Sequence, residues 1–418
     1  MGTEDRQKML ETPVRIEPCL FEDDVPRVLA DLAVEIQRES ATVGNGLNQD
    51  SLAELADLVR MMNSYYSNLI EGHNTRPLDI EKALTGVQIE PEKRPLALEA
   101  KAHVEVQRAI DVAHMTNKLP IPVTTTFISW VHKSFYDEMP PEFRVTKRQD
   151  GSEISIVPGK FRSSPEEDLA VGRHVPPSSS VVQTFMDYFE KRFTAAEGKA
   201  SLGVIAIATA HHRLNYIHPF VDGNGRVSRL MSHAMGLRAG IGGAGLWSIS
   251  RGLARGLRDR GEYKRYMDSA DSSRRGNRDG RGNLSEAALI EFSEWFLSVM
   301  LDQIRFSKAV FQLDKIQERY KDLLADLKLE TRAIDLVVSI FKFGQMERGD
   351  AAHVLRMPER TARTVVSKLT EQGFLKSSTP KGPVRVAFPL EYRERLFPNL
   401  FAEGKIDAPE PPALQFGR

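Results

Sequence analysis

The chain has 418 residues, 41% hydrophobic and 27% charged, enough to bury a large core and to form two or three packed units. Its 57 Lys plus Arg balance 57 Asp plus Glu, so no global field draws it to nucleic acid or to a membrane, and any basic site must be local. One cysteine, Cys19, excludes an internal disulfide and a cysteine-rich metal centre; with a charged beginning and no apolar run of bilayer length, this makes a cytoplasmic location the expectation.

The first two-thirds of the chain read as helices. From Asp50 to Glu71, apolar residues recur at helical spacing (Leu52, Leu55, Leu58, Val59, Met62, Tyr66, Leu69, Ile70) and Gly72 supplies the stop. Further helical patterns cover about Leu96–Met115, Thr124–Tyr136, Ser178–Phe193 and Ser201–Tyr216, which together predict a bundle core. Between them, Val145–Pro177 is rich in Gly, Pro and Ser and carries the alternating Ile154-Ser155-Ile156-Val157, the signature of a hairpin or ordered loop. Another helix starts near Gly225, and Leu284 to about Leu327 holds one or two more. From about Thr331 the spacing changes. A helix (Ala333–Phe343), a short one (Arg348–Leu355), a turn at Met357-Pro358, a helix (Glu359–Gln372) and strand-like pieces around Lys381-Gly382-Pro383 predict a winged helix-turn-helix. The tail from Glu403 is expected to be loose.

Chemistry concentrates in His218-Pro219-Phe220-Val221-Asp222-Gly223-Asn224-Gly225-Arg226-Val227-Ser228-Arg229. A helix delivers His218 at its end, Pro219 forbids simple continuation, and Asp222–Gly225 restarts a helix. Glycines on both sides of Asn224 let backbone N–H groups converge at a positive helix end, a place for phosphate oxygens. Arg226 and Arg229, three apart, share a face that leans toward that end and can grip phosphate with planar forks. Asp222 is either a helix N-cap or, beside a phosphate cradle, a magnesium ligand. His218 is either a helix-terminal histidine or, with an ordinary pKa of about 6.5, the general base for an attacking hydroxyl.

These twelve residues match the His-Pro-Phe-x-Asp-Gly-Asn-Gly-Arg-x-x-Arg signature without a departure, and the chain resembles Fic (filamentation induced by cAMP) proteins over roughly residues 50–300. The resemblance implies an α-helical bundle with a β-hairpin flap, and transfer of AMP from ATP to a Ser, Thr or Tyr hydroxyl of a protein. It places catalysis on His218, Asn224 and Arg226, magnesium on Asp222, and the nucleotide along Asp222, Gly223, Asn224, Gly225, Arg226, Val227, Ser228 and Arg229, with Phe220 as a packing anchor. Val171-Gly172-Arg173-His174-Val175-Pro176-Pro177 resembles the flap that borders the nucleotide and aligns the target as an added strand. Tyr263, Lys264 and Asp271 fall where the family has nucleoside contacts, although many relatives carry Tyr in place of Lys264 and Asn in place of Asp271. Ser67-Asn68-Leu69-Ile70-Glu71-Gly72 resembles the inhibitory pattern of the subclass with its brake N-terminal to the motif. A Glu71 carboxylate paired with Arg229 would occupy that arginine and repel the γ-phosphate. Transfer of another phosphate-containing group, or reverse hydrolysis aided by the same glutamate, stays open.

The expected division is 1–120, a helical region with the inhibitory helix at about 50–72; 121–300, the catalytic core; 301–330, a connecting helix; 331–400, the winged helix; and 401–418, the tail. Arg356, Arg360, Arg363, Lys368, Lys376, Lys381 and Arg385 stand against only Glu359 and Glu371, which suits a DNA backbone. Winged helices also serve dimerisation or target docking. A DNA-binding regulator with a nucleotide-sensing Fic domain, and a homodimer, are the alternatives.

Overall fold

The structure, a computed structural model, describes residues 11–21, 24–147, 151–242 and 245–401; the tail expected from Glu403 lies outside them. In chain order the helices are α1 (Arg27–Ser40), α2 (Gln49–Ile70), α3 (Pro77–Thr85), α4 (Arg94–Met115) and α5 (Thr125–Asp137). A two-stranded hairpin follows, β1 (Val145–Lys147) with β2 (Glu153–Ser155), paired antiparallel with Thr146 opposite Ile154. Then come α6 (Val182–Thr194), α7 (Ala200–Ile217), α8 (Asn224–Arg238), α9 (Ile249–Arg255), α10 (Glu262–Ala270), α11 (Glu286–Phe311) and α12 (Leu313–Asp326). The last region holds α13 (Ala333–Phe343), α14 (Ala351–Leu355), α15 (Glu359–Glu371) and a minimal antiparallel pair, β3 (Leu375–Lys376) with β4 (Arg385–Val386).

Local chemistry explains where the long helices begin and end. Asn48 caps α2 by accepting the Asp50 N–H at 2.9 Å, and Ser285 caps α11 by accepting the Ala288 N–H at 3.1 Å. At the far end of α2, Gly72 adopts φ +86, so the chain turns and the His73 N–H closes back on the Asn68 carbonyl at 2.9 Å. The core is built around α7. Its apolar residues point all round the axis, so it has no face to give to solvent. Val204, Ile205, Ile207 and Ala208 join the core formed with α1, α2, α9 and α11, whereas Ala206, Ala210, Leu214 and Ile217 join a second core with α4, α5, α6 and α8.

Residues 331–401 are not a separate bead. Phe341, Phe388, Phe397 and Phe401 share the larger core with α2 and α12. The Asn48 N–H donates to the Phe341 carbonyl at 2.9 Å and the Ser51 hydroxyl to the Ile340 carbonyl at 3.1 Å, so the first turn of α2 is tied to the end of α13. Arg393 reaches Glu81 at 2.7 Å, and Lys376 pairs with Glu54. Sequence expectations differ from the structure here. The helix expected from Arg348 spans only Ala351–Leu355; α3 and α9, nine and seven residues long, are too short to stand out from periodicity, whereas α1 is amphipathic and was not anticipated.

Candidate active site

The loop between α7 and α8 is forced into shape by its own residues. His218 ends α7 in the left-handed region, φ +50, and Pro219 has no N–H to continue a helix. Gly223 sits at φ +82 with Tyr136 2.9 Å from where a Cβ would stand, so only glycine fits that turn. Phe220 is fully buried, stacked on the His132 ring with centroids 3.8 Å apart. His132 completes the support: its Nδ1 accepts the Gly159 N–H at 2.8 Å and its Nε2 meets the Asp222 carbonyl at 3.3 Å, while burial pushes its pKa down to about 4.

The Asn224 side chain is engaged within the loop: Oδ1 accepts the Phe220 N–H at 2.9 Å and Nδ2 donates to the Phe220 carbonyl at 2.8 Å. Both of its groups staple the loop, and only its backbone remains for the cradle. Val227 packs into the core and donates its N–H to the Gly223 carbonyl at 3.0 Å, and the Ser228 hydroxyl donates to the Gly225 carbonyl at 2.9 Å, so both are engaged inside the helix. The first-turn N–H groups of α8 lack intrahelical acceptors, which leaves the positive helix end facing the site.

Four ionised groups, Asp222, Arg226, Arg229 and Glu71, ring that end. Asp222 accepts the Gly223 N–H at 2.7 Å and the Tyr136 hydroxyl at 3.0 Å. Burial alone would raise its pKa, but Arg226 and these donors outweigh burial and hold the carboxyl below its usual range. Arg226 stacks over Phe135 and pairs with Glu99 at 3.4 Å; Glu99 is in turn bonded to His73 at 3.0 Å. Arg229, 1% exposed at its side chain, donates from Nε to the Ser67 hydroxyl at 3.0 Å and from Nη2 to Glu71 Oε1 at 2.6 Å. The Glu71 carboxyl is held below its usual range, burial being outweighed by Arg229 and Arg226. Gly225 shows where this ion pair lies: a Cβ there would stand 2.5 Å from Glu71 Oε1 and 2.9 Å from an Arg229 nitrogen. The Glu71 carboxylate therefore sits on the cradle itself.

His218 is partly exposed. Burial pushes its pKa down to about 3, with the Arg162 guanidinium and His174 adding to the effect and Asp222 opposing it. The shift favours the neutral ring. A ring nitrogen is hydrogen-bonded to the backbone of Asn215, leaving the other as an acceptor.

The residues expected to form the flap lie beside His218 as a tight turn, separate from the β1–β2 hairpin. Val171 and His174 exchange backbone hydrogen bonds of 2.9 and 3.0 Å around Gly172, φ +60. Arg173 pairs with Asp268 of α10. His174 bonds the Tyr216 carbonyl at 2.7 Å and Asp271 at 3.2 Å. Asp271 is shared with His212, also 3.2 Å away, so its carboxylate already bridges two histidines. Tyr263 is buried with its hydroxyl on His211 at 2.8 Å, and Lys264 is exposed. Of the expected nucleoside contacts, none presents a free polar end in this arrangement except Lys264.

Sequence reasoning missed Tyr136, Glu99, His132 and above all Arg162. Arg162 is 2% exposed and touches the loop at three carbonyls. Gly159-Lys160-Phe161-Arg162 gives no local sign of this, because the partners lie more than 50 residues away. Among the described residues no cluster of three or more His, Cys, Asp or Glu could hold a metal. An ionised, oriented Asp222 beside a phosphate cradle does fit magnesium, which often takes one protein carboxylate and phosphate oxygens. Among the described residues, no helix is long and apolar enough to cross a membrane.

Comparison with known proteins agrees with this geometry. Residues 122–235 match the Fic/DOC family. The curated protein named Protein adenylyltransferase Fic of Nematostella vectensis is 27% identical over 207 residues, 50% of this chain and 42% of that one. Its namesake in Aedes aegypti is 34% identical over 110 residues, 26% of this chain and 21% of that one. The chain thus spans less than half the length of these relatives. A Fic domain containing signaling protein from Bacteroides thetaiotaomicron shares the fold with a TM-score of 0.50 at 19% identity, over 68% of this chain and 97% of that one. The mostly helical bundle with its small hairpin fits that similarity, and residues 122–235, which hold the unbroken signature on the α7–α8 loop, match the Fic/DOC family.

Proposed function

We propose that this chain transfers AMP from ATP to a Ser, Thr or Tyr hydroxyl of a protein, and that Glu71 restrains the transfer. The observation that carries the reading is the Glu71 carboxylate 2.6 Å from Arg229, lying over Gly225 where a phosphate would otherwise bind. A carboxylate held ionised in an anion cradle imitates the charge of the ligand it displaces.

In this mechanism the first-turn amides of α8 and the guanidinium groups of Arg226 and Arg229 hold the phosphates. Neutral His218 accepts the proton of the target hydroxyl. The freed oxygen forms a bond to the α-phosphorus as the bond from that phosphorus to the bridging oxygen breaks, and pyrophosphate leaves. Asp222 would hold magnesium, whose charge, when bound, offsets that of the triphosphate. Ser67 and Gly72 belong to the brake, one bonding Arg229 and the other turning α2 so that Glu71 lies at its end. Val171 to His174 present the target segment. The lone buried Cys19 is consistent with a cytoplasmic setting.

Intact-mass measurement after incubation with ATP and magnesium tests the whole reading. Glu71→Gly should gain one AMP unit on itself or on lysate proteins, the unchanged chain much less, and Glu71→Gly with His218→Ala none. No labelling by Glu71→Gly would remove the transfer; equal labelling by the unchanged chain would remove the brake.

A second reading rests on α15. Ala362, Val365, Val366 and Leu369 face inward, which leaves Arg360, Arg363 and Lys368 exposed along one side. If 331–400 is a winged helix, that side would lie along duplex DNA, and the Fic domain would sense nucleotide for a regulator.

A further inference from the structure

A helix that ends in a left-handed residue followed by proline leaves carbonyls without partners, and buried carbonyls must find them elsewhere. At the end of α7 one side chain answers. Arg162 donates from Nε to the His218 carbonyl at 2.8 Å and from Nη2 to the Ile217 carbonyl at 3.3 Å, and its own backbone N–H reaches the Pro219 carbonyl at 2.8 Å. Three successive carbonyls around the base thus rest on a single residue. The remainder of the same guanidinium turns to the flap. Nη1 donates to Asp168 Oδ1 at 3.0 Å and Nη2 to the Pro177 carbonyl at 3.0 Å. Asp168 precedes the Val171–His174 turn and Pro177 follows it, and Asp168 also accepts the Ser179 N–H at 2.7 Å.

We infer that Arg162 is a positioning residue that sets the distance between His218 and the segment aligned on the flap. The inference rests on the transfer reaction proposed above. A guanidinium is planar and rigid, so groups on its several edges keep a fixed relation to one another. Both stems of the flap and the residue that takes the proton are on those edges. A target hydroxyl aligned by the flap then arrives in register with the base, and a misplacement of about 1 Å would cost on the order of a hundredfold in rate. Packing alone would ask only that the three carbonyls be satisfied. It would not require the same group to hold both ends of the flap.

The test uses the full chain with Glu71→Gly, alone and combined with Arg162→Lys, Arg162→Ala or Asp168→Asn, each checked for folding by thermal melting. Arg162→Lys keeps the charge but loses the fork, so kcat for labelling should fall roughly ten- to hundredfold while KM for ATP stays within about threefold. Asp168→Asn, at a side chain 42% exposed, should shift kcat in the same direction by less. A readout independent of turnover is the titration of the His218 ring by NMR, assigned through His218→Ala. The titratable and charged groups facing it are Arg162, His174 and Asp222. Arg162→Ala removes a positive charge, so the midpoint should rise, whereas Arg162→Lys should leave it low. Folded variants with unchanged kcat, or with kcat and KM lost together, would overturn the inference. Should Glu71→Gly itself not label, the transfer reading fails on its own, and an unmoved His218 midpoint in Arg162→Ala would separately show that Arg162 does not govern the base. Should Arg162→Ala not fold, Asp168→Asn and Arg162→Lys carry the kcat comparison.

Discussion

Arg229 on α8 and Arg363 on α15 carry the same group on helices of similar length, and both face a glutamate. Arg229 is 1% exposed at its side chain and meets Glu71 at 2.6 Å, whereas Arg363 is 76% exposed and meets Glu359 at 3.4 Å. Around Arg229 the partners come from different elements, Ser67 and Glu71 at the end of α2, so the pair reports how two parts of the chain are placed. Around Arg363 the partner is one turn away on the same helix and would be there in any fold containing that helix. Burial makes the first pair costly to break, because removing one partner leaves a charge without compensation; solvent screens the second until little energy depends on it.

The comparison can be broken in several places. The largest effect belongs to His218. In the Glu71→Gly background, His218→Ala should lower labelling by about two to four orders of magnitude, measured with labelled ATP. Retained labelling would place the base elsewhere. Next is the brake. A hydrogen bond between charged groups is worth about 1.5–3 kcal/mol, so Glu71→Gly should raise self-labelling roughly ten- to hundredfold.

A third test probes the joint between the two regions. Gly344 sits at φ +86 with Asn48 Oδ1 2.5 Å from where a Cβ would stand, so Gly344→Val should cost about 1–3 kcal/mol in denaturant unfolding. An unchanged midpoint would mean that α13 and the start of α2 are not packed as described. On α15, by contrast, Arg363→Ala should change stability by less than about 0.5 kcal/mol. If that face lies on duplex DNA, Arg360→Ala with Arg363→Ala should instead flatten the salt dependence of binding by about two in slope for the full chain.

The smallest expected change is with pH. A folded pKa below the unfolded one contributes stability that is present above the unfolded value and lost as pH falls through the folded value. Glu71 is shifted this way, its Arg229 and Arg226 attraction outweighing burial. The ratio of Glu71→Gly to unchanged labelling should therefore stay constant from about pH 8 to about pH 5, above the ordinary glutamate value of about 4.3. A ratio that collapsed between pH 7 and 6 would assign the brake to a histidine instead.

How much was legible beforehand differs residue by residue. The ends of α2, α5 and α7 follow their caps, glycines and prolines closely, since each signal acts within a few residues. His218, Asp222 and the two arginines stand out for the same reason, being close together in one loop. Asn224 stands out too, but its side chain has a task inside that loop. Its type suits a phosphate ligand, yet the turn from Phe220 leaves two backbone groups that its amide satisfies first. Asp271 was likewise found as a nucleoside contact, whereas two histidines from distant segments already hold it. Tyr136 and Arg162 were invisible because nothing adjacent to them in sequence needs them.

By itself the sequence determined the helical content, the stop at Gly72, the broken helix at His218–Pro219 and the glycine-flanked turn that follows. All of these depend on backbone geometry and on contacts within a turn or two. Only the tertiary structure decided that Glu71 lies on Gly225, that Arg162 joins Asp168 to the His218 carbonyl, and that α13 grips the start of α2. Those relations bring together residues 6 to nearly 300 positions apart. They exist because buried charges and carbonyls must find partners wherever the packed core happens to place them.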